Sequence, residues 1–302
     1  MAKIIFFGTH DFGAAMLAAL IDHGHEITLA VTQPDRPVGR KQELSASPVK
    51  QLAFQKGLNV VQPETLKNFE IDHSPDLIVV CQYGLIIPER ILKIGKNGAL
   101  NVHTSLLPKY RGASPIQSAI VNGETETGIT IMLMDEKMDH GPILSQVKVS
   151  IGPDDIYPEL RKKMAPLAGK LLCETIEKWL NDEIKPQTQN ENKVTFCKIF
   201  NRDDGRIDWS KDPKNIYDLF RGLTPWPGIW TTWQGKRLKL LNIKISDKRS
   251  EKGTAMINGG RLIVGAGNGA IEILEIQLEG KNAMSAGSFI SGYTSIDGAK
   301  LS

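Results

Sequence analysis

Short β-branched runs alternate with helix-like segments over residues 1–184 of this 302-residue chain. This alternation is typical of βαβ units, because parallel neighbouring strands need a crossover that is usually a helix. We therefore predict a mostly parallel, Rossmann-like α/β sheet in a domain of residues 1–184. The predicted strands are Lys3 to Phe7, Glu26 to Val31, Leu58 to Val61, Leu77 to Cys81, Ala99 to His103, Gly128 to Met134 and Ile143 to Val149; the predicted helices are Phe12 to His23, Pro48 to Lys56, Pro88 to Ile94, Pro115 to Val121 and Ile156 to Asn181.

A different pattern begins after residue 184. Residues 185–202 are polar, as is typical of a connecting segment, and we predict a linker there. Beyond it, one short helical stretch precedes segments in which apolar side chains recur with period two. Short strands broken by glycines predict a small OB-like β barrel for residues 203–302. The helix is predicted at Pro213 to Arg221 and the strands at Ile229 to Trp233, Leu238 to Ile245, Thr254 to Ile257, Arg261 to Val264 and Ala270 to Leu278.

The two parts also differ in charge. Residues 1–184 carry 19 Lys and Arg against 22 Asp and Glu, whereas residues 185–302 carry 18 against 12. A basic C-terminal part favours a polyanionic partner such as nucleic acid, with an ordinary solvated surface as the alternative. The cysteines Cys81, Cys173 and Cys197 are far apart in the chain and odd in number, which argues against a disulfide framework and a Cys-rich zinc site. No apolar run approaches the length of a membrane span. We expect a cytoplasmic protein without a metal.

The glycines of the chain do not indicate a nucleotide site. Gly8 to Gly13 follows the first strand and opens a helix, but the dinucleotide fingerprint requires a glycine where His10 stands. We interpret this segment as a strand-to-helix turn with Asp11 as N-cap. The glycines of residues 265–269 lie between two predicted strands and indicate a hairpin turn.

The candidate catalytic residues begin in the fifth predicted strand. Period two places Asn101 and His103 on one face, at the edge where open α/β sheets build their sites. The next strand leads into a turn with Asp135 and Asp139, which we expect at the same edge. Each residue also has a structural explanation: a partly buried histidine, a strand-end amide and aspartates that bond their own turn. Spacing alone leaves both interpretations open.

Longer motifs resemble a known family. Asn101-x-His103-x-Ser-Leu-Leu-Pro, followed by Tyr-Arg-Gly-Ala, resembles the signature of the 10-formyltetrahydrofolate-dependent formyltransferases. The likeness to the methionyl-tRNA formyltransferase family spans both parts, through Phe7-Gly8-Thr9, Thr32-Gln33-Pro34-Asp35-Arg36-Pro37, Ser47-Pro48-Val49-Lys50, Gln62-Pro63, Tyr83-Gly84-Leu85-Ile86 and Pro225-Trp226-Pro227-Gly228. The chain departs from the family where His10 replaces a proline and where Lys137 and His140 replace a glycine and a threonine.

The resemblance implies transfer of a formyl group from 10-formyltetrahydrofolate to the amine of initiator methionyl-tRNA. Separately from the resemblance, we expect a monomer without a membrane partner. It implies a catalytic set of Asn101, His103 and Asp139. The folate donor is expected at Gln82, Tyr83, Gly84, Leu85, Ile86, Ser105, Leu106, Leu107, Pro108 and Asp135, with ordinary core as the alternative for the apolar run. The tRNA is expected at Arg36, Arg40 and Lys41, with a solvated charge run as the alternative for this loop. From the basic charge of the C-terminal part, it is also expected at Lys236, Arg237 and Lys239, which lie with Lys244 on or beside one strand.

These residue types suit the chemistry. Acyl transfer between nitrogens requires donors for an oxyanion and a group that moves a proton. Asn101 can donate to the oxyanion, His103 can donate or relay a proton, and Asp139 can orient His103 or accept a proton through water. The alternatives are a formyltransferase for glycinamide ribonucleotide or an amino sugar, a non-catalytic tRNA-binding module, and a nucleotide-dependent oxidoreductase. Glycinamide ribonucleotide enzymes generally lack the C-terminal barrel, a binding module leaves Asn101 beside His103 unexplained, and an oxidoreductase would need the glycine fingerprint.

Overall fold

The computed structural model describes residues 1–38, 43–72 and 74–302, which fold into two compact units. The first unit comprises Met1–Gly112, Thr127–Ser150 and Arg161–Cys197, and the second comprises Ala113–Glu126, Ile151–Leu160 and Lys198–Ser302. The predicted linker is therefore divided between the units. The domain boundaries expected at residues 184 and 203 stay a prediction.

The elements follow one another along the chain. The strands are β1 Lys3–Gly8, β2 Glu26–Val31, β3 Arg36–Val38, β4 Glu43–Ser45, β5 Val60–Val61, β6 Leu77–Cys81, β7 Ala99–His103, β8 Arg111–Gly112, β9 Glu126–Leu133, β10 Ile143–Ser150, β11 Phe196–Cys197, β12 Ile229–Trp233, β13 Lys236–Ser246, β14 Ala255–Asn258, β15 Arg261–Ala266, β16 Gly269–Leu278 and β17 Met284–Ser285. The helices are α1 Asp11–Asp22, α2 Pro48–Gln55, α3 Glu89–Leu92, α4 Pro115–Val121, α5 Tyr157–Leu180, α6 Pro213–Leu223 and α7 Ala286–Gly292. None of the helices within the described ranges has both the length and the apolar character of a membrane span.

The first unit is built on a sheet of strand order β10-β9-β7-β6-β1-β2-β5. The strands from β7 to β5 are parallel, and β9 is antiparallel to β7. Strands β1 and β6 are continuous apolar runs because they lie in the middle of the sheet, where both faces are covered. In β1, Ile4 to Phe7 are fully buried. This arrangement confirms the predicted mostly parallel, Rossmann-like sheet.

The turn from β1 into α1 differs from the expectation in one residue. His10 is the N-cap, with an extended backbone and no capping side-chain bond, and Asp11 is already helical. The prediction that Asp11 caps the helix was therefore wrong. Its carboxylate pairs instead with the guanidinium of Arg161, with Nη2 to Oδ1 at 2.5 Å, and an acidic side chain in the first turn also complements the helix dipole.

The second unit contains an antiparallel sheet of order β12-β13-β16-β15-β14, with β17 added beside β16. Among the described residues no hydrogen-bonded pairing joins β12 to β14, so the sheet is open rather than a closed barrel. The hairpin expected near residues 265–269 is present, because Ala266 pairs with Gly269 across a two-residue turn. The ring of Trp233 packs edge-on to Phe289 of α7, a helix that the sequence did not predict.

Candidate active site

Asn101 and His103 project from the same face of β7 toward one carboxylate. The amide Nδ2 of Asn101 donates to Oδ1 of Asp139 at 3.3 Å, and Nδ1 of His103 lies 3.6 Å from the same oxygen. The His103 side chain is 6% exposed and that of Asp139 is 14% exposed. The structure thus brings the three predicted catalytic residues together in a mostly buried cluster, where electrostatic interactions are stronger than in water.

The path of the chain that places Asp139 in this cluster differs from the one predicted from the sequence. Because β9 runs antiparallel to β7, Leu133 pairs with Leu100 near the start of β7 rather than at its carboxyl end. The expectation that the 135–141 turn begins at the carboxyl edge of the sheet was wrong. The turn is closed by a hydrogen bond from the N–H of Leu133 to the carbonyl of Pro142 at 2.9 Å, and it folds back so that Asp139 meets the side chains of β7.

The other oxygen of the Asp139 carboxylate is held by the main chain. The N–H of Gly112 in β8 donates to Oδ2 at 2.8 Å. The backbone of Asp139 is left-handed, with φ +49°, a conformation that aspartate tolerates better than most residues but that glycine alone adopts freely. Gly112 was not predicted as part of the site, because a main-chain donor has no residue type by which a sequence could reveal it.

The ring of His103 is fixed by a second contact. Its Nε2 lies 3.0 Å from the carbonyl of Tyr110. A carbonyl only accepts, so Nε2 carries a hydrogen and Nδ1 is the nitrogen that faces Asp139. A proton at Nδ1 would therefore lie between the imidazole ring and the Asp139 carboxylate.

The loop after β7 is held by hydrogen bonds, one within the loop and one to β9. Ser105 is fully buried and its hydroxyl donates to the carbonyl of Lys109 at 2.6 Å. Leu107 is also buried, and its N–H donates to Oγ1 of Thr130 at 3.2 Å. The hydroxyl of Ser105 is therefore used within the loop, and the side chain of Leu107 is buried. Leu106 and Pro108 are partly buried.

The side chains of the loop after β6 differ widely in solvent exposure. Tyr83 is 2% exposed and its ring packs edge-on to Phe7, at 5.2 Å between centroids, so burial raises the pKa of its hydroxyl to about 12. Any contact of Tyr83 with a ligand would have to use its main chain. Ile86 is 93% exposed, while Leu85 is partly buried against the core. The neighbours Gln82 and Gly84 have positive φ angles, which turn the chain sharply at this point.

Asp135 and the two unusual residues of the turn form a separate group. Nδ1 of His140 lies 2.6 Å from Oδ2 of Asp135, and the N–H of Lys137 donates to Oδ1 of Asp135 at 2.9 Å. His140 therefore pairs with Asp135 rather than with Asp139. Asp135 lies on the half-exposed outer part of the turn and is distinct from the Asn101, His103 and Asp139 cluster.

The basic residues of β13 do not share one surface. Arg237 and Lys239 are opposite Thr232 and Trp230 of β12, and the guanidinium of Arg237 lies 4.2 Å from the centroid of the Trp230 ring. Alternation along the strand places Lys236 on the other side of the sheet. Lys244, named with them from the sequence, lies 3.3 Å from Glu272 and is an ion-pair partner. Lys236 therefore lies on a different face of the sheet from Arg237 and Lys239, and tRNA binding at these residues stays a prediction.

The predicted tRNA loop is described only in part. Arg36 lies at the start of β3 and is exposed. Arg40 and Lys41 lie outside the described residues. Within residues 1–38, 43–72 and 74–302, no group of His, Cys, Asp and Glu side chains is arranged to hold a metal ion.

Comparisons with known proteins agree with the motifs. A family model described as "Formyl transferase" matches residues 2–176, and one described as "Formyl transferase, C-terminal domain" matches residues 200–294. A methionyl-tRNA formyltransferase from Geobacter metallireducens is 40% identical over 305 residues, which cover 99% of this chain and 98% of that protein. One from Caldicellulosiruptor saccharolyticus is 44% identical over 302 residues, with 96% of each chain covered.

A solved structure shares the fold at low sequence identity. It is the N-formyltransferase from Helicobacter canadensis in complex with folinic acid and dTDP-3-aminofucose, with a TM-score of 0.68 at 16% identity. The match covers 90% of this chain and 99% of that one. Similarity at this level supports the fold and leaves the substrate to be decided by other observations.

Proposed function

The chain belongs to the methionyl-tRNA formyltransferase family, and on that premise we propose that it transfers a formyl group from 10-formyltetrahydrofolate to the α-amine of methionyl-initiator-tRNA for translation initiation. The observation that carries this proposal is the convergence of Asn101 and His103 on one oxygen of the Asp139 carboxylate. Such a cluster supplies hydrogen-bond donors, an imidazole and a negative charge around one point, which is what acyl transfer between nitrogens requires.

The reaction moves one carbon between two nitrogens. The neutral methionyl amine attacks the formyl carbon, and a new N–C bond forms as the carbonyl oxygen becomes an oxyanion. The bond from that carbon to N10 then breaks, and the proton lost by the amine is balanced by the proton that the departing nitrogen gains. No covalent bond to the protein is needed, so the residues act by positioning, by donating hydrogen bonds and by moving this proton.

Each catalytic residue has a role that its contacts support. An amide nitrogen carries two N–H groups, so Asn101 can hold Asp139 with one and offer the other to the oxyanion. Nδ1 of His103 is the nitrogen turned toward the carboxylate, and we assign it the proton that passes from the amine to the leaving nitrogen. Asp139 stabilises the positive charge that forms on the imidazole during this relay.

The folate donor is assigned to the loop of residues 82–86 and the turn of residues 135–141. The exposed side chain of Ile86 and the partly buried Leu85 supply an apolar surface of the kind that a planar ring requires. Asp135, half exposed on the turn, supplies a polar group for the ring edge. Leu106 and Pro108 can contribute to the same wall, whereas Tyr83, Ser105 and Leu107 act through the main chain or by supporting the loops.

Two rival substrates are separated by one experiment. The shared fold of the Helicobacter canadensis enzyme leaves an amino sugar possible, whereas identity near 40% along the whole chain favours methionyl-tRNA. Purified protein with 10-formyltetrahydrofolate should form formylmethionyl-tRNA from the initiator tRNA much faster than from the elongator methionyl-tRNA. Parallel reactions contain glycinamide ribonucleotide or a dTDP-linked amino sugar. Formylation of either small amine in preference to the tRNA would refute the proposal.

The antiparallel domain is assigned to tRNA as an OB-like module. Its open five-strand order, with a short sixth strand, is compatible with this partly open barrel class. Arg237 and Lys239 flank the ring of Trp230 on one face, a combination of cations and an aromatic ring that suits a nucleic-acid backbone. Arg36, with Arg40 and Lys41 beside it in the chain, is assigned to the acceptor end. A monomeric state and a cytoplasmic location stay predictions.

Lys239→Ala should weaken tRNA binding and reduce its dependence on salt. If the ammonium neutralises one phosphate, the slope of log affinity against log salt should become shallower by about 0.9, a value for duplex DNA applied here to an RNA stem. Lys236→Ala removes the same charge from the other side of β13 and is the matched control, with an unchanged slope. The measurement is tRNA binding over a salt series, with folate affinity expected to stay constant. Equal slopes in both variants would show that Lys239 is only solvated.

A further inference from the structure

Gln189 is a buried polar side chain in the segment that the sequence presents as a linker. Of residues 185 to 199, all of which the structure describes, only Gln189 is buried, at 5% exposure. Its Oε1 accepts from Nε and Nη2 of Arg111 at 3.1 and 2.9 Å, and its Nε2 donates to the carbonyls of Asp139 and Gly141 at 2.9 and 2.7 Å. These four bonds use the full hydrogen-bonding capacity of an amide.

The partners leave this amide only one orientation. The guanidinium of Arg111 can only donate, and the two main-chain carbonyls can only accept. An amide turned the other way would place N–H against N–H and oxygen against oxygen in a buried position, which is costly. Gln189 therefore joins the side chain of Arg111 to the backbone of the turn that carries Asp139.

The segment around Gln189 is anchored on both sides. Gln187 exchanges two main-chain hydrogen bonds with Ile143 of β10, each of 2.8 Å. After it, Glu191 receives bonds from Nη2 and Nη1 of Arg111 at 2.6 and 3.3 Å, and the hydrogen bond from Arg111 holds the pKa of Glu191 below its ordinary value. With both flanks fixed, the amide of Gln189 presents its N–H groups at a defined place.

Gln189 bonds to two residues of the turn whose backbone is constrained. Asp139 has a left-handed backbone, and a Cβ atom on Gly141 would lie 1.9 Å from the carbonyl oxygen of Leu133. The carboxylate of Asp139 is tied to Gly112 and Asn101, while Gln189 ties the peptide groups on either side of the same stretch. A carboxylate keeps its place relative to His103 only if the backbone that carries it is also fixed.

We propose that Gln189 is a positioning residue for formyl transfer, because it fixes the backbone of residues 139–141 and thereby sets the Asp139 carboxylate against Asn101 and His103. This inference rests on the proposed function for its kinetic test. Gln189 touches neither substrate in the arrangement assigned above, so its loss acts through Asp139. A displacement of about 1 Å in a reacting group can lower a rate by about 10²-fold.

The kinetic test compares one substitution at two positions. Gln189→Glu keeps oxygens for Arg111 but has no N–H for the turn when it is ionised, and Gln187→Glu makes the same change at an exposed side chain. We expect kcat of Gln189→Glu to fall by about 10- to 100-fold, with KM for each substrate changed by less than about threefold. Gln187→Glu should match the wild type. A normal kcat in Gln189→Glu, or a rise in KM alone, would overturn the proposal.

A double variant tests whether the effect passes through Asp139. In the Asp139→Asn background, Gln189→Glu should lower kcat by less than about threefold, because coupled residues are not additive. An equal loss in both backgrounds would mean that Gln189 acts elsewhere. Gln189→Met, which is uncharged and removes all four bonds, should reproduce the loss of kcat. If neither variant folds, Gln189 serves the fold as a whole and the proposal is wrong.

A structural readout keeps the inference independent of activity. The N–H of Gly112 donates to Asp139, so its hydrogen exchange reports the position of that carboxylate. Gln189→Met should accelerate exchange of this N–H by about tenfold or more, whereas Gln187→Glu should leave it unchanged. If the Gly112 N–H exchanged at the same rate in Gln189→Met as in the wild type, the positioning role of Gln189 would be refuted, whatever the activity of the wild type. If the wild type formylated no substrate, the proposed function would be refuted instead.

Discussion

Replacing His103 with alanine is expected to lower the turnover number for formyl transfer by about 10²–10⁴-fold, the loss typical of removing a general acid–base or an oxyanion donor. The variant loses the nitrogen that faces Asp139 and the bond to Tyr110. Because the residue is mostly buried, a folding check by circular dichroism accompanies the kinetics. KM for tRNA should change far less than kcat.

Asn101→Ala should behave similarly, since its amide both holds Asp139 and is assigned to the oxyanion. A histidine outside the site provides the control: His23 pairs with Glu177 and has a side chain that is 41% exposed. His23→Ala should keep turnover within about twofold, because His23 lies outside the site and surface substitutions usually change stability by less than about 0.5 kcal/mol. Near-normal turnover in either His103→Ala or Asn101→Ala would contradict the assignment of the active site.

The fold of the first unit was largely predictable from local pattern. Strands β2, β6 and β7 begin and end at the predicted residues, because an apolar β-branched run has clear limits. Period two also placed Asn101 and His103 on one face correctly. The direction of β9 could not be read in the same way, since side-chain alternation is identical in parallel and antiparallel strands. The route of Asp139 to the site followed from that direction.

Several features could not be predicted from the sequence because they depend on contacts between residues far apart in the chain. Gln189 lies 78 residues from Arg111, and no local pattern relates them. The polarity of residues 185–202 was a correct observation, but an amide saturated by buried partners and an amide in water look alike in a sequence. In β13 an irregular register between Leu240 and Asn242 changes the alternation, so spacing alone could not place Lys239 and Lys244 on their faces. Helix α7 has few helix-forming residues and was missed for that reason.

Separate substitutions of the two aspartates in the turn test which carboxylate takes part in the reaction. Asp139→Asn keeps the shape of the side chain but removes the charge beside His103, and one oxygen can still accept from the N–H of Gly112. Without that charge a proton on Nδ1 of His103 is no longer stabilised, and the amide N–H can also face the N–H of Asn101. We expect kcat to fall by about 10²–10⁴-fold, the range for losing a group that assists proton transfer or stabilises developing charge.

Asp135→Asn is the matched substitution four residues earlier in the same turn. Its carboxylate pairs with His140 at a half-exposed position, and pairs of this kind contribute about 0–1 kcal/mol. We therefore expect kcat to fall by less than about tenfold, with the larger effect on KM for the folate donor, to which Asp135 is assigned. Steady-state kinetics with each substrate varied in turn measures both variants. Equal losses of kcat would show that the charge at Asp139 has no special place in the reaction, because the two carboxylates would then contribute only to the shape of the turn.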